Sequence, residues 1–152
     1  MSDKARILVV DDAPENIAVI SNTLKEDYTI LAATRGEKAL EIAAKTPSPD
    51  LILLDIMMPG MDGYEVCRRL KSAPATRSIP IIFLTSKDTI LDEAKGLMLG
   101  AVDYMMKPVD ATLVKARIRA HLMQQQMWKK REANLLDHIL RLEAKLALQE
   151  IK

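Results

Sequence analysis

The sequence predicts an α/β protein: a five-stranded parallel sheet wound by helices on both faces, with an extended C-terminal helix. Three observations predict it. Short β-rich apolar runs alternate with helical patterns five times along the chain. The runs, such as Ile7-Leu-Val-Val10 and Leu51-Ile-Leu-Leu54, are apolar throughout, as strands covered on both faces are. Helical sequence then continues some 30 residues past the point near 122 where a compact unit of this kind should end, without Pro or Gly. We therefore divide the chain into an α/β domain, 1–122, and a helical extension, 123–152.

The elements follow in order. Ile7–Val10 is the first strand. Pro14 suits the first turn of the next helix, with Asp12 as its cap and Ile17, Ile20, Asn22 and Leu24 at mostly helical spacing. Tyr28–Ala33 is the second strand. Gly36–Lys45 is helical, with Ala39, Leu40, Ile42 and Ala43 on its apolar side, until Pro47 and Pro49 break it. Leu51–Leu54 is the third strand, Pro59–Gly63 a loop, and Tyr64–Lys71 a helix. Pro80 opens a fourth strand, Ile81–Leu84. Asp88–Met98 is a helix ended by Gly100, and Ala101–Met105 a short fifth strand. From about Asp110 onward the chain reads as helix.

Composition excludes several classes. Of 152 residues, 22 are Lys or Arg and 21 Asp or Glu, a net charge of +1. A polybasic nucleic-acid or anionic-membrane binder depends on a larger positive excess. At 49% apolar and 28% charged the chain is globular rather than disordered in composition. A single cysteine, Cys67, forms no intramolecular disulfide and fits a reducing, cytoplasmic setting. No apolar run approaches a membrane span, and the N-terminus lacks the long apolar region of a signal peptide.

Parallel sheets of this kind carry their functional groups at the carboxyl ends of the strands. In the flavodoxin-like order 2-1-3-4-5, those ends carry Asp11 and Asp12, Asp55, Thr85 and Lys107. Strands one and three are neighbours in that order, so three carboxylates converge. Two of them about 4 Å apart repel by a few kcal/mol at an effective dielectric near 20. A proton, a lysine or a divalent cation must compensate, and all-oxygen ligands favour Mg²⁺ or Mn²⁺ over zinc. A carboxylate, a metal, a lysine and a hydroxyl together suit a phosphoryl group. Any one of these aspartates could be a helix cap or turn former. The joint pattern across the strand ends is harder to reach by accident.

The stretches Ile7-Leu-Val-Val-Asp-Asp12, Leu53-Leu-Asp-Ile-Met-Met-Pro-Gly-Met-Asp-Gly63, Ile82-Phe-Leu-Thr-Ser86 and Gly100-Ala-Val-Asp-Tyr-Met-Met-Lys-Pro108 resemble the receiver domain of two-component response regulators, over residues 5 to 122. The resemblance implies that Asp55 accepts a phosphoryl group from a histidine kinase or phosphotransfer protein. It implies Mg²⁺ held by Asp11, Asp12, Asp55 and the backbone carbonyl of Met57. Thr85 would contact the phosphoryl group, Lys107 would pair with it, and Tyr104 would turn inward as Thr85 moves. Lys107-Pro108 matches a bond that is cis in the family. Other phosphate chemistries fit worse. There is no Gly-x-x-x-x-Gly-Lys-Ser/Thr loop and no dinucleotide fingerprint after strand one. Haloacid-dehalogenase-like phosphatases place a second acid two residues after the nucleophile, where this chain has Met57.

Smaller features have plainer readings. Cys67 is a packing or surface residue rather than a nucleophile. His121 and His138 lie 17 apart on one helix, which is no metal-ligand spacing. Met57, Met58 and Met61 form either an adaptable kinase-docking surface or loop filler, and Met98, Met105 and Met106 belong to core or interface.

In the extension, Leu135, Ile139, Leu142 and Leu146 follow the 4-3-4 spacing of a coiled-coil seam. Trp128 extends the register backwards, Glu132 interrupts it and Gln149 ends it. Lys145 with Glu150, and His138 with Glu143, stand at g and e and favour a parallel homodimer. A segment folded back on its own domain or disordered, and docking on another protein, are the alternatives. The segment Pro108–His121 resembles receivers that precede cyclic-di-GMP domains, so the chain is either a complete regulator without an output domain or part of a longer one.

The functional expectation is a phosphorylation-dependent switch relaying through the fifth helix. Dimerisation would use the face of helix four, strand five and helix five, or the C-terminal helix. Enzymatic turnover beyond self-phosphorylation and self-dephosphorylation is not expected, nor is binding to nucleic acid or membrane. The competing expectation is a constitutive dimerisation or scaffold module on the same fold.

Overall fold

The computed structural model describes residues 4–86 and 90–151. Its elements, in chain order, are β1 (Arg6–Val10), α1 (Pro14–Leu24), β2 (Thr29–Ala33), α2 (Gly36–Ala44), β3 (Leu51–Asp55), α3 (Gly63–Ser72), β4 (Ile81–Thr85), α4 (Ile90–Met98), β5 (Asp103–Met106) and α5 (Ala111–Ile151). The strands form one parallel sheet in the order β2-β1-β3-β4-β5, as the sequence predicts.

Strand side chains alternate between two apolar layers, which explains the unbroken apolar runs. Leu8, Val10, Ile52, Leu54, Ile81 and Phe83 pack with Ala39 and Ala43 of α2 and Val66, Cys67 and Leu70 of α3. Ile7, Val9, Leu51, Leu53, Ile82 and Leu84 pack with Ile17, Ile20 and Leu24 of α1 and Val114 and Ile118 of α5. Cys67 is thus a packing residue, fully buried. Burial pushes its thiol up to about 11.

Several expectations shift. The N-cap of α1 is Ala13, with no side-chain cap bond, rather than Asp12. Pro14 in the first turn already removes one N–H that a cap would satisfy. The Asp12 carboxylate instead joins a cluster of acids beyond the strand ends. Asn22 is exposed, off the buried stripe of α1. The fifth strand starts at Asp103 instead of Ala101. The chain is still closing α4 there, with Gly100 at φ +106° and the Ala101 N–H donating to Gly96. Met105 is core, but Met98 and Met106 are exposed, which removes them from it. The expected start of α4 at Asp88 lies outside the described residues. Both Lys107-Pro108 and Thr46-Pro47 are cis.

The fifth helix runs 41 residues without a break, about 60 Å at 1.5 Å per residue. Residues 126–150 are exposed throughout. The extension therefore does not fold back on its own domain. Among the described residues no helix is long and apolar enough to cross a membrane.

Candidate functional site

Strand register assembles the site. Val10 pairs with Leu54, so Asp11 and Asp55, one residue further along each strand, emerge side by side. Thr85 pairs with Met106, and the Lys107 N–H donates to the Thr85 carbonyl at 2.8 Å. This delivers Lys107 from the sheet's edge strand to the same rim. Asp11, Asp12 and Asp55 each present a carboxylate oxygen within 4.8 Å of the others. Asp11 and Asp55 are buried at 2% and 5% exposure, Asp12 is exposed, and Thr85 is fully buried.

Lys107 is the electrostatic pivot. Its Nζ lies 2.5 Å from Asp11 Oδ2 and 3.4 Å from Asp55 Oδ2. Asp11 also accepts from the Ala13 N–H at 2.9 Å and, at 3.4 Å, from Asn16 Nδ2. Asp55 accepts from the Met57 N–H at 3.3 Å. Burial, and secondarily the Asp11 charge, raise the Asp55 carboxyl above its ordinary value, against the opposing pull of Lys107. Buried neighbouring carboxylates of this kind mark a place where a positive charge is favoured.

The loop after β3 is shaped by close approach. A Cβ on Gly63 would stand 2.2 Å from the Asp55 carbonyl oxygen and 2.8 Å from Ile56 Cα. Only glycine lets α3 begin this near the end of β3. The Gly63 N–H donates to the Ile56 carbonyl at 2.9 Å, and Asp62 caps α3 by accepting from the Glu65 N–H at 2.9 Å. Of the three methionines here, Met57 is exposed, Met58 buried and Met61 partly buried against the core, so only Met57 presents itself to solvent.

Tyr104 is partly buried against the α2–α3 layer, and a Cβ on Gly96 of α4 would lie 3.6 Å from its ring. Its neighbour Asp103 accepts from Arg117 Nη1 at 2.8 Å and stands 2.9 Å from His121 Nε2. These bonds tie β5 to α5, and they give His121 a structural partner. Asn16 is the site residue that sequence reasoning missed. Its signal is its place in the first turns of α1, directly beyond the β1 carboxyl end.

The five expected residues Asp11, Asp12, Asp55, Thr85 and Lys107 thus share one rim, with Tyr104 one strand away. The set offers hard oxygen donors of the kind a divalent cation prefers. It also sets a buried carboxylate beside a lysine, a pairing that suits nucleophilic chemistry at a phosphoryl group.

The chain is similar to known proteins. The family model of the response regulator receiver domain matches residues 7–119. A Vibrio cholerae protein named "Probable cyclic di-GMP phosphodiesterase" is 52% identical over 120 residues, 79% of this chain and 27% of that protein. Response regulator PleD of Caulobacter vibrioides is 47% identical over 117 residues, 76% of this chain and 26% of its own. The chain therefore spans about a quarter of the length of these relatives. Among solved structures, the BeF₃-activated receiver domain of Klebsiella pneumoniae RstA aligns with TM-score 0.68 and 38% identity, covering 77% of this chain and 97% of that one. The chain belongs to the response regulator receiver domain family, whose members serve two-component signalling as phosphorylation-dependent switches.

Proposed function

We propose that Asp55 is the phosphoacceptor of this switch. The observation that carries the reading is the position of its buried carboxylate, on one rim beside the Asp11 carboxylate and bridged to it by the Lys107 ammonium. An Asp55 carboxylate oxygen attacks the donor's phosphorus. The new O–P bond forms as the P–N bond to a kinase or phosphotransfer histidine breaks, leaving an acyl phosphate and neutral imidazole. Lys107, already 3.4 Å from Asp55, pairs with the transferred phosphoryl oxygens, and the Thr85 hydroxyl donates to them. Movement of Thr85 draws Tyr104 inward. The change leaves through α4, β5 and α5, along the Asp103–Arg117–His121 bonds.

Three clustered oxygen ligands fit Mg²⁺ or Mn²⁺ better than a softer metal. Asp11, Asp12 and Asp55 would hold it, with the Met57 carbonyl as a fourth protein ligand. A bound cation would supply positive charge for the phosphoryl oxygens. The histidine kinase docks at the rim, where Met57 is 53% exposed. We read the exposed apolar stripe of α5 as a homodimer surface. An output domain, or a separate output protein, is the recipient of the signal. A constitutive scaffold would share that stripe, but it has no use for a complete acidic cluster. Mg²⁺ should raise the melting temperature of the wild type and leave Asp11→Asn unmoved. Equal shifts in both proteins would remove the cluster as the cation site.

A further inference from the structure

The amino ends of the strands, at the end of the sheet opposite Asp55, hold a second polar place. A cavity of about 390 Å³ lies there, between the starts of β1, β3 and β4 and the turns of α5 that pass them. Lys4, Arg6 and Lys129 line it against a single acid, Asp50, a surplus of two positive charges. Its volume is at the small end of ligand cavities. None of its lining residues is aromatic, so it has no face on which a nucleobase would stack.

The acceptors around this cavity are engaged. The Ala5 carbonyl accepts from the Thr29 N–H at 2.9 Å, the Arg6 carbonyl from the Asp50 N–H at 2.8 Å, and the Pro80 carbonyl from the Ile52 N–H at 3.0 Å. The Ile79 carbonyl accepts from Lys71 Nζ at 2.8 Å, and the Ser78 carbonyl from Gln125 Nε2 at 2.7 Å. The Asp50 carboxylate takes the Arg6 backbone N–H at 2.8 Å, which holds it to the strand edge rather than to the guanidinium. Donors are left over. Arg6 Nε is buried with no hydrogen-bond partner among the described residues. None of the three cations is ion-paired among the described residues.

A buried N–H without an acceptor is costly, and unpaired cations around one space repel. We propose that this cavity binds a small dianion of the phosphate class, either the free ion or the phosphate group of a small molecule. A tetrahedral dianion offers acceptors on several sides at once and cancels the surplus of two charges. Turning about its stem, Arg6 delivers Nε–H and an Nη–H together to two of the oxygens. Lys4 and Lys129 meet the others as point charges. The proposal goes beyond the switch reading and does not depend on Asp55, which stands at the far end of β3.

The position gives the anion something to act on. Arg6 opens β1, whereas Lys129 belongs to α5, one turn beyond Gln125 and its bond to Ser78. Residues 126–150 of that helix are exposed. An anion held by Arg6 and Lys129 together extends the receiver's grip on α5 by a further turn. Occupancy of the cavity is thus an influence on α5 separate from Asp55.

The test titrates the metal-free chain with inorganic phosphate, in chelator at pH 7.5 and constant ionic strength, and follows ¹H–¹⁵N NMR shifts. Saturable shifts are expected at Ser48, Ser78, Gln125 and the Arg6 Nε–H, with a Kd on the order of 1 mM for so small a ligand. Arg6→Gln should weaken binding about tenfold or more. Lys129→Gln, exposed and outside the core, should weaken it about threefold. Lys145→Gln, on the same helix but away from the cavity, should leave it unchanged. Glycerol phosphate binding more tightly than inorganic phosphate would identify a phosphate monoester as the occupant, and the reverse order the free ion. Succinate binding as tightly as either would overturn the tetrahedral assignment. Shifts that do not saturate, a Kd unchanged in both Arg6→Gln and Lys129→Gln, or an equal loss in Lys145→Gln would overturn the site. Saturating phosphate should also slow amide exchange over residues 122–129, and unaltered exchange would overturn the effect on α5.

Discussion

Replacing Asp55 by asparagine should stabilise the metal-free protein. The carboxylate is 5% exposed and feels two opposing charges. Lys107 at 3.4 Å attracts it by about 5 kcal/mol at an effective dielectric near 20, and Asp11, within 4.8 Å, repels it by about 3.5 kcal/mol. Asp12 adds further repulsion. The Coulomb effects therefore nearly cancel, and the loss of hydration on burial is left over. That remainder is why the Asp55 carboxyl is raised above its ordinary value. The amide keeps the shape and can still accept from the Met57 N–H, yet carries no charge to desolvate. We expect a gain of about 1 kcal/mol at pH 7.5, or roughly 2–4 °C in Tm for a chain of this size. The pH dependence has a definite sign. A raised folded-state value means the native protein binds the Asp55 proton more tightly than the unfolded chain does. Wild-type stability then falls as pH rises through the window between the ordinary and the raised value. The advantage of Asp55→Asn is full above that window and vanishes below it. Paired urea melts at pH 7.5 and pH 4 measure the difference, and titrations common to both proteins cancel. An Asp55→Asn protein less stable than wild type at pH 7.5 would refute the reading that desolvation of the Asp55 charge is the net cost at this site.

Other consequences are local. Gly63→Ala places a methyl 2.2 Å from the Asp55 carbonyl oxygen, so it should cost at least about 3 kcal/mol by chemical denaturation, or shift the β3–α3 loop and impair the site. Asp62→Ala removes the cap of α3 and should cost about 1 kcal/mol in the same assay. Cys67, fully buried with its thiol pushed up to about 11, should ignore a thiol reagent at pH 8 until denaturant is added; prompt labelling of native protein would contradict that packing.

The sheet and most of the site were legible because both depend on short-range pattern. Continuous apolar runs identify strands covered on two faces, and strand-end positions follow once the order is known. Asp11, Asp55 and Lys107 meet because register, a regular property, carries them to one rim. What escaped depends on side-chain choices between distant segments. Asp12 satisfies both cap chemistry and cluster chemistry on paper, and only the fold shows it in the cluster. His121 stands in a helix with no ligand spacing, and its partner, Asp103, lies 18 residues upstream on β5. Asn16 reads as an ordinary helix residue until β1 points it at Asp11. The length of α5 was visible, whereas the engagement of its first half by the receiver required the packed structure.

The account's central claim is that Asp55 takes up a phosphoryl group. Intact mass after incubation with Mg²⁺ and a small-molecule phosphodonor, on wild type and Asp55→Asn, tests it most directly. The account predicts one added phosphoryl group on wild type and none on Asp55→Asn. Phosphoryl uptake by folded Asp55→Asn, or none by the folded wild type, would contradict it.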